Sequence, residues 1–245
     1  MAARFFVREA LARDCAGTSI DLPEDVAHHA IRVTRLGVGD ALTLFDGTGG
    51  EYAASVTHID RRTARVHVNA FIPDERESPF ALTLVQAIIA ADAMDYAVRK
   101  AVELGVRAIV PVITSRSAPL PAGDRAERRH AHWQEIVIAA CEQCGRNRLP
   151  DVHSPTPLHA FAPAAEASWL VCAATPDAVA LSAMTVTPAR CAIAIGPEGG
   201  WTQAEVEDMV RRGATTVHLG PRVLRADTAA VAALAIAQAR WGDAR

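Results

Sequence analysis

Hydrophobic and polar positions alternate differently in the two parts of the chain. Up to residue 72, short alternating or β-branched runs predict strands at Arg4–Arg8, Ala41–Asp46, Tyr52–Ile59 and Ala64–Phe71. One amphipathic stretch predicts a helix at Pro23–Leu36, with its proline in the first turn. The cluster Asp46–Gly50 predicts a hairpin turn between the second and third strands. This pattern is typical of a small β-barrel or half-barrel.

From residue 79 onward, apolar runs and helical stretches take turns. Strands are predicted at Ala81–Ile88, Ala108–Ile113, Trp169–Ala174, Cys191–Ile195 and Thr216–Leu219. Helices are predicted at Asp92–Leu104, Ala122–Cys144, Thr202–Arg211 and Ala229–Ala239. Such alternation predicts an α/β fold with a parallel sheet covered on both faces. The polar, proline-flanked segment Ile72–Pro79 separates the two parts and predicts domains at 1–73 and 79–245.

Two glycine-rich turns in the second part are the best candidates for a binding site. They are Ile195–Trp201 (IGPEGGW) and Leu219–Thr228 (LGPRVLRADT), and each lies between a predicted strand and a predicted helix. Parallel sheets bind ligands at the carboxyl ends of their strands, and glycine lets backbone approach a ligand closely. Neither turn matches the common dinucleotide or P-loop patterns, and Glu198 would repel phosphate. The turns favour a ligand that is not phosphate-rich and that tolerates or carries positive charge.

The helices after these turns have predictable starts. Thr202 and Glu205 have the spacing of a capping box, and Asp227 or Thr228 is expected to cap the last helix. Ala229–Ala239 carries no charge and is apolar all round, so it is expected to be buried on all sides. We expect a second subunit to supply part of that burial, which predicts a homodimer.

Composition narrows the class of protein. The net charge is −3, and half of the residues are hydrophobic. No apolar run reaches the length of about 18 residues that a membrane span needs, and no leader pattern opens the chain. We therefore expect a cytoplasmic protein without a membrane partner. Cys141-x-x-Cys144 lies in a predicted helix without a second cysteine or histidine pair, so the five cysteines are expected to be reduced and to bind no metal.

Paired in this order, the two turns carry a family resemblance. Ile195–Glu207 (IGPEGGWTQAEVE) with Leu219–Ala230 (LGPRVLRADTAA) resembles the cofactor segment of SPOUT methyltransferases, and more closely the bacterial family that methylates uracil N3 in 16S ribosomal RNA. Arg4–Val7 and His28–Leu36 are similar to the N-terminal domain of that family. The resemblance implies a PUA-like RNA-binding domain, a C-terminal trefoil knot and a homodimer. It also implies S-adenosylmethionine as cofactor and 16S ribosomal RNA, in the small subunit, as partner.

The resemblance also implies roles for individual residues. Arg225 is expected to stabilise a uracil anion, and Asp227 to take the N3 proton or orient the arginine; the alternatives are a loop salt bridge and a plain helix cap. Glu198 is expected chiefly to hydrogen-bond loop backbone. The expected cofactor contacts are Ala173, Ala174, Ile195, Gly196, Glu198, Gly199, Leu219, Gly220, Leu224 and Thr228, with Thr175 in the same loop as Ala173 and Ala174. The expected RNA contacts are Arg8, Arg32, Arg35, Arg146, Asn147 and Arg148.

This chain departs from the family pattern at two places. Ala90–Ala93 replaces a Lys-Gly-Asp-Lys run, which removes positive charge, and Asp227 replaces a glutamate with a shorter acid. Two other functions stay open at this point. One is methylation of another RNA position, for instance a ribose 2′-hydroxyl, on the same fold. The other is a non-catalytic RNA-binding or ribosome assembly factor.

Overall fold

The computed structural model describes residues 2–119, 123–184 and 189–244. Two compact units make up the chain. Unit 1 comprises Met1–Glu77 and Cys141–Leu149, and unit 2 comprises Ser78–Ala140 and Pro150–Arg245. Within the described residues, none of the helices is long and apolar enough to cross a membrane.

Unit 1 is built on a five-stranded sheet with one short helix. Its elements are β1 (Ala3–Phe6), β2 (Ser19–Asp21), α1 (Glu24–His28), β3 (Ala41–Phe45), β4 (Glu51–Ile59) and β5 (Ala64–Ile72). The strand order is β1-β3-β4-β5-β2; β1 runs parallel to β3 and the other pairs are antiparallel. The predicted hairpin between β3 and β4 is confirmed. Among the described residues β1 and β2 end the sheet, which favours the half-barrel over a closed barrel.

The predicted helix Pro23–Leu36 is borne out as a continuous helical stretch over Glu24–Val33, but its second half is not α-helical. After α1 the chain widens into a π-helical turn, His29–Val33, in which the Thr34 N–H donates to the His29 carbonyl five residues back. Arg35 then takes a left-handed conformation, with φ of 59°, and ends the helical stretch. Strand β2 was missed because three residues are too few to show a period.

Unit 2 alternates strands and helices. Its elements are β6 (Ala81–Ala87), α2 (Ala91–Glu103), β7 (Ala108–Ile113), α3 (Asp124–Cys144, whose residues 141–144 belong to unit 1), β8 (Asp151–Val152), β9 (Thr156–Pro157), β10 (Ser168–Cys172), β11 (Val179–Ala180), β12 (Arg190–Ile195), α4 (Gln203–Arg211), β13 (Thr215–His218) and α5 (Ala226–Trp241). Short 3-10 turns follow β9 and β11. The predicted first residue of α3, Ala122, lies outside the described residues.

The sheet of unit 2 is parallel throughout. Its order is β11-β13-β10-β12-β6-β7-β8, with β9 beside β7, and every pairing is parallel. The central strands β6, β10 and β12 are almost wholly buried, as in sheets covered on both faces. The predicted α/β fold is confirmed. This order places the carboxyl ends of β13, β10, β12 and β6 side by side at one edge.

Helix α5 packs against α2, β6 and β12. Its buried residues include Ala230, Ala233, Leu234 and Ala237. In the single chain only this face of α5 is buried, so the expectation that the helix is buried on all sides is met on one face alone. The opposite face stays partly open and is apolar; it carries Val231, Ala232, Ala235 and Ile236.

Candidate active site

A cavity of about 820 Å³ opens at the carboxyl ends of β6, β10, β12 and β13. It is lined by residues 89–90, 93, 172–175, 195–198, 200–201, 203, 206, 217–227 and 229. Its size lies within the range of small-molecule pockets. The two glycine-rich turns therefore meet at one site, as the strand order requires.

Most of the residues predicted to bind a cofactor line this cavity. Those that line it are Ala173, Ala174, Ile195, Gly196, Glu198, Leu219, Gly220 and Leu224, together with the proposed catalytic Arg225 and Asp227. Gly199 and Thr228 do not line it. Both residues form hydrogen bonds within the protein instead. The Gly199 carbonyl accepts a hydrogen bond from Arg116, and the Thr228 N–H donates to the Asp227 carboxylate.

The turn after β12 is fixed by contacts with neighbouring strand ends. The Gly200 N–H donates to the Pro197 carbonyl at 2.8 Å and closes a four-residue turn. Glu198 Oε1 accepts from the Ala90 N–H at 2.8 Å. Glu198 therefore bonds backbone as expected, but that of the segment after β6 rather than that of its own turn, and its exposed carboxylate gives the cavity wall negative charge.

Trp201, at the end of the same turn, is hydrogen-bonded to strand β10. Its indole N–H donates to the Cys172 carbonyl at the end of β10, at 3.1 Å. A Cβ at Gly196 would lie 3.2 Å from the Trp201 ring, so glycine is needed there for close packing. The predicted capping box is confirmed: Thr202 and Glu205 exchange side-chain and backbone hydrogen bonds at the start of α4.

The turn after β13 leads into α5 without a side-chain cap. Gly220 has φ of +112°, which favours glycine, and its N–H donates to His218 Nδ1 at 3.2 Å. The helix begins at Ala226, with Arg225 as N-cap residue and no side-chain cap hydrogen bond. The prediction that Asp227 or Thr228 caps α5 was therefore wrong, because both lie inside its first turn.

Uncapped N–H groups at a helix start carry partial positive charge. In α5 this end lines the cavity through Ala226 and Asp227, next to the exposed Arg225. No ion pair to Arg225 is formed within the part of the chain that the structure describes. The loop salt bridge considered for Arg225 is thus not found there. Arg225 and the uncapped N–H groups of Ala226 and Asp227 favour an anion at this corner, whereas the Asp227 carboxylate, which accepts from the Thr228 N–H, disfavours one.

Cys172 is the one thiol in the cavity wall among the described residues. Burial raises its pKa to about 12, and the nearby Cys191 adds to the effect. Only the thiolate is a good nucleophile, so Cys172 stays protonated and unreactive near neutral pH. It contributes shape and its carbonyl to the site.

Sequence reasoning left several lining residues unassigned. Among them, Ala90 and Ala93 follow β6, and Trp201 ends the first turn. Thr175 was expected beside Ala173 and Ala174, and it does line the cavity. The strand order would have revealed the first two, because it makes β6 the neighbour of β12. Trp201 directly follows the GPEGG motif and was quoted in the motif without being assigned a role.

The predicted RNA contacts divide into exposed and buried residues, all in unit 1. Arg8, Arg32 and Arg35 are exposed. The Arg148 side chain is half-exposed and pairs with Glu75 at 3.0 Å.

Two of the predicted RNA contacts are buried. Arg146 is 4% exposed and binds the Glu77 carboxylate. Asn147 is fully buried; its Oδ1 accepts from Arg4 and its Nδ2 donates to the Asp74 carbonyl. Their burial favours a structural role for both over RNA contact.

The cysteine pair at the end of α3 behaves as a packing element. Cys141 is buried, and burial raises its pKa to about 12. All five cysteines are free thiols. Among the described residues, no group of three or more histidine, cysteine or acidic side chains is placed to hold a metal ion.

Comparison with known families decides which family this site belongs to. A model of an RNA methyltransferase domain matches residues 76–238, which is more than half of the chain. The chain belongs to this RNA methyltransferase family. A model of an RNA methyltransferase PUA domain matches residues 22–69, within the half-barrel of unit 1. The expected methyltransferase and its PUA-type N-terminal domain are confirmed.

Individual relatives match this RNA methyltransferase in sequence, and two solved structures match it over nearly the whole chain. Ribosomal RNA small subunit methyltransferase E of Synechocystis sp. is 34% identical and covers 85% of this chain and 69% of its own length. The solved structure of the Neisseria gonorrhoeae protein of that name, bound to S-adenosyl methionine, is 36% identical with a TM-score of 0.90 and covers 99% of both chains. A putative methyltransferase from Legionella pneumophila, solved with bound SAM, is 32% identical with a TM-score of 0.92 and covers 99% of both chains.

Proposed function

We propose that this methyltransferase transfers the methyl group of S-adenosylmethionine to N3 of a specific uridine in the 16S ribosomal RNA of the small ribosomal subunit. The observation that carries the proposal is the anion-stabilising corner of the cavity, where Arg225 adjoins the uncapped start of α5. Methylation at N3 requires loss of the N3 proton, which leaves negative charge on the uracil ring. A guanidinium and helix N–H groups favour that charge. Such a substrate places the protein in the cytoplasm.

The cavity fits S-adenosylmethionine by its size and by the chemistry of its walls. Apolar side chains of Ile89, Val217 and Leu224 suit an adenine ring, and Glu198 suits a cationic sulfonium group. Thr175 adds a polar group: its Oγ1 is buried and has no hydrogen-bond partner in the structure. Buried polar atoms are rarely left unpaired, so we expect the Thr175 side chain to turn its hydroxyl toward the cavity and bond the ligand when the ligand is bound. The relatives solved with this cofactor support the assignment.

Thr175→Val is expected to raise the Kd for S-adenosylmethionine about tenfold, the value of one hydrogen bond. The free protein should be as stable as wild type or slightly more so, because valine removes an unpaired buried hydroxyl. Isothermal titration and thermal unfolding measure the two effects. Thr175→Ser is the matched control and should restore binding. Unchanged affinity in Thr175→Val would exclude the hydroxyl as a cofactor contact.

The cofactor, when bound, supplies an electrophilic methyl group on sulfur. The chain's own residues must then hold uracil N3 in line with that methyl group. They must also remove the N3 proton or stabilise the anion that its loss leaves. Asp227 is the acidic residue that α5 places at the cavity. One of its carboxylate oxygens accepts from the Thr228 N–H at 2.7 Å. We propose that Asp227 either takes the N3 proton or orients Arg225. Because N3 lies on the Watson–Crick edge, the base must be unpaired to reach the cavity.

The finer features of the fold are part of the proposal. We propose a SPOUT-type trefoil knot at the C-terminus. In its support, β10 lies between β12 and β13, and α5 returns from β13 to pack against β12 and β6. We propose a homodimer as well, because the open face of α5 is apolar and carries Val231 and Ile236. Light scattering at micromolar concentration should give twice the chain mass.

RNA binding is proposed for unit 1. Arg8, Arg32 and Arg35 are exposed there, and arginine binds phosphate through paired hydrogen bonds. Arg148 is half-exposed and is included although it pairs with Glu75. The PUA-domain match supports this assignment.

The proposed reaction is tested with small subunits from a strain that lacks the activity. Protein, subunits and methyl-labelled S-adenosylmethionine are incubated, and the RNA is digested to nucleosides. Label in 3-methyluridine is the expected result. Label in another nucleoside would support S-adenosylmethionine as the methyl donor but would show that uracil N3 is not the methylated position. Cofactor binding without label would instead favour an RNA-binding or assembly factor.

A further inference from the structure

The loop that follows β7 grips the turn after β12 from outside the cavity. Arg116 Nη1 donates to the Gly199 carbonyl at 2.8 Å. One residue earlier, the N–H and the hydroxyl of Ser115 both donate to Glu205 Oε1 at 2.9 Å. Glu205 is the capping-box residue of α4. Two successive residues therefore hold both ends of the segment from Gly199 to Glu205.

The hydrogen bond from Arg116 fixes the peptide group between Gly199 and Gly200, which closes the turn. A trans peptide group is planar, and its C=O and N–H point to opposite sides. The Gly199 carbonyl is bound by Arg116, while the Gly200 N–H of the same peptide group donates to the Pro197 carbonyl at 2.8 Å. Both polar ends of this plane are thus occupied, which fixes its orientation. The backbone on the other side of the turn, at Gly196 and Pro197, lines the cavity.

The glycine at 199 has a reason that does not involve a ligand. A Cβ placed there would lie 3.3 Å from both Cβ and Cδ of Arg116. That is closer than ordinary van der Waals contact, so the arginine would have to shift. Since Gly199 does not line the cavity, its missing side chain makes room for Arg116 rather than for a cofactor.

We propose that Arg116 is a positioning residue for S-adenosylmethionine. It does not line the cavity, and it acts by fixing the Gly199–Gly200 peptide so that the inner side of the turn is preformed. Preorganised loops bind more tightly because less conformational entropy is lost on binding. The inference rests on the proposed function, since it names the cofactor of that site.

The test compares three variants by isothermal titration with S-adenosylmethionine. Arg116→Met keeps the packing stem and removes the donor, and its Kd should rise about threefold, within the range for a solvent-exposed charged hydrogen bond. Arg116→Lys keeps a charged donor with poorer geometry, and its Kd should lie between the two. Arg99→Met, an exposed arginine on α2, is the matched control and should bind as wild type does.

A second measurement separates positioning from general stability. In the free protein, Arg116→Met should speed amide hydrogen exchange at residues 196 and 198–200 and leave the Tm of unfolding nearly unchanged. Cofactor affinity equal to that of wild type in Arg116→Met would overturn the inference and leave the proposed function intact. An unchanged cofactor affinity with a raised KM for RNA would overturn it in favour of an RNA contact. Failure of the wild-type protein to bind S-adenosylmethionine would overturn both.

Discussion

Arg225→Gln is expected to lower kcat for methyl transfer by about 10²- to 10³-fold, the usual cost of losing one group that stabilises charge in the transition state. Arg225 lies at the mouth of the cavity as the N-cap residue of α5, and its side chain does not cap the helix. Glutamine keeps most of the size of the side chain and removes the charge. The N3 anion then relies on helix N–H groups alone.

The affinity for S-adenosylmethionine distinguishes this role from a structural one. We expect its Kd to stay close to the wild-type value in Arg225→Gln, because the lost interaction forms only as charge develops on the uracil. Single-turnover methylation of small subunits measures the chemical step. The control is Arg211→Gln on α4, where an exposed pair with Asp208 is removed and little change is expected. A normal single-turnover rate in Arg225→Gln would remove Arg225 from the mechanism.

The second large effect concerns the stability of unit 1. Glu51→Gln is expected to lower the free energy of unfolding of this unit by about 3 to 5 kcal/mol, as when one partner of a buried ion pair is removed. The Glu51 carboxylate binds both Arg4 and Arg76, and the side chains of Glu51 and Arg4 are 11% and 7% exposed. Without the charge of Glu51, the buried Arg4 loses its carboxylate.

The same carboxylate makes the stability of unit 1 depend on pH. Burial raises the pKa of Glu51, but hydrogen bonds from Arg76 and Arg4 and their charges outweigh burial, so the pKa lies below its ordinary value. A group with a lowered pKa stabilises the fold above its unfolded pKa, and that stability is lost as pH falls through the folded value. The wild type should therefore lose stability in acid, and Glu51→Gln should lose less.

All four tryptophans lie in unit 2, so their fluorescence does not report on unit 1. Amide hydrogen exchange in β4 and β5 is the better measurement, because these strands form the centre of the sheet in unit 1. Asp21→Asn is the matched control: its pair with Arg65 is in the same unit, but both side chains are more than half exposed. That change should cost at most about 1 kcal/mol. Equal losses from the two substitutions would contradict the prediction.

The site was largely predictable because its chemistry sits in strand-to-helix turns. Strand periodicity located the ends of β12 and β13, and the rule for parallel sheets brought the two glycine turns together. The capping box of α4 depends on local spacing alone, and it was predicted correctly. Local spacing gave the wrong cap for α5. Asp227 is a residue type that often caps helices, but the helix begins one residue before it.

The remaining misses depend on contacts between distant residues. The hydrogen bonds of Ala90 to Glu198 and of Arg116 to Gly199 join different strand ends, which no local pattern reveals. Arg146 and Asn147 looked like a basic surface, but both are buried and bond other residues of unit 1. An arginine that binds RNA and one that is buried against a carboxylate are identical in sequence.

The segment Cys141–Leu149 delays the folding of unit 1 during synthesis. It belongs to unit 1 and supplies Asn147, whose side chain binds Arg4 and the Asp74 carbonyl. A nascent chain that has emerged only as far as Glu77 therefore lacks part of its own interior. Since ribosomes add about 5 to 20 residues per second, the first unit to be synthesised must wait several seconds for its last segment. During that interval the buried arginine is exposed to solvent and to chaperones.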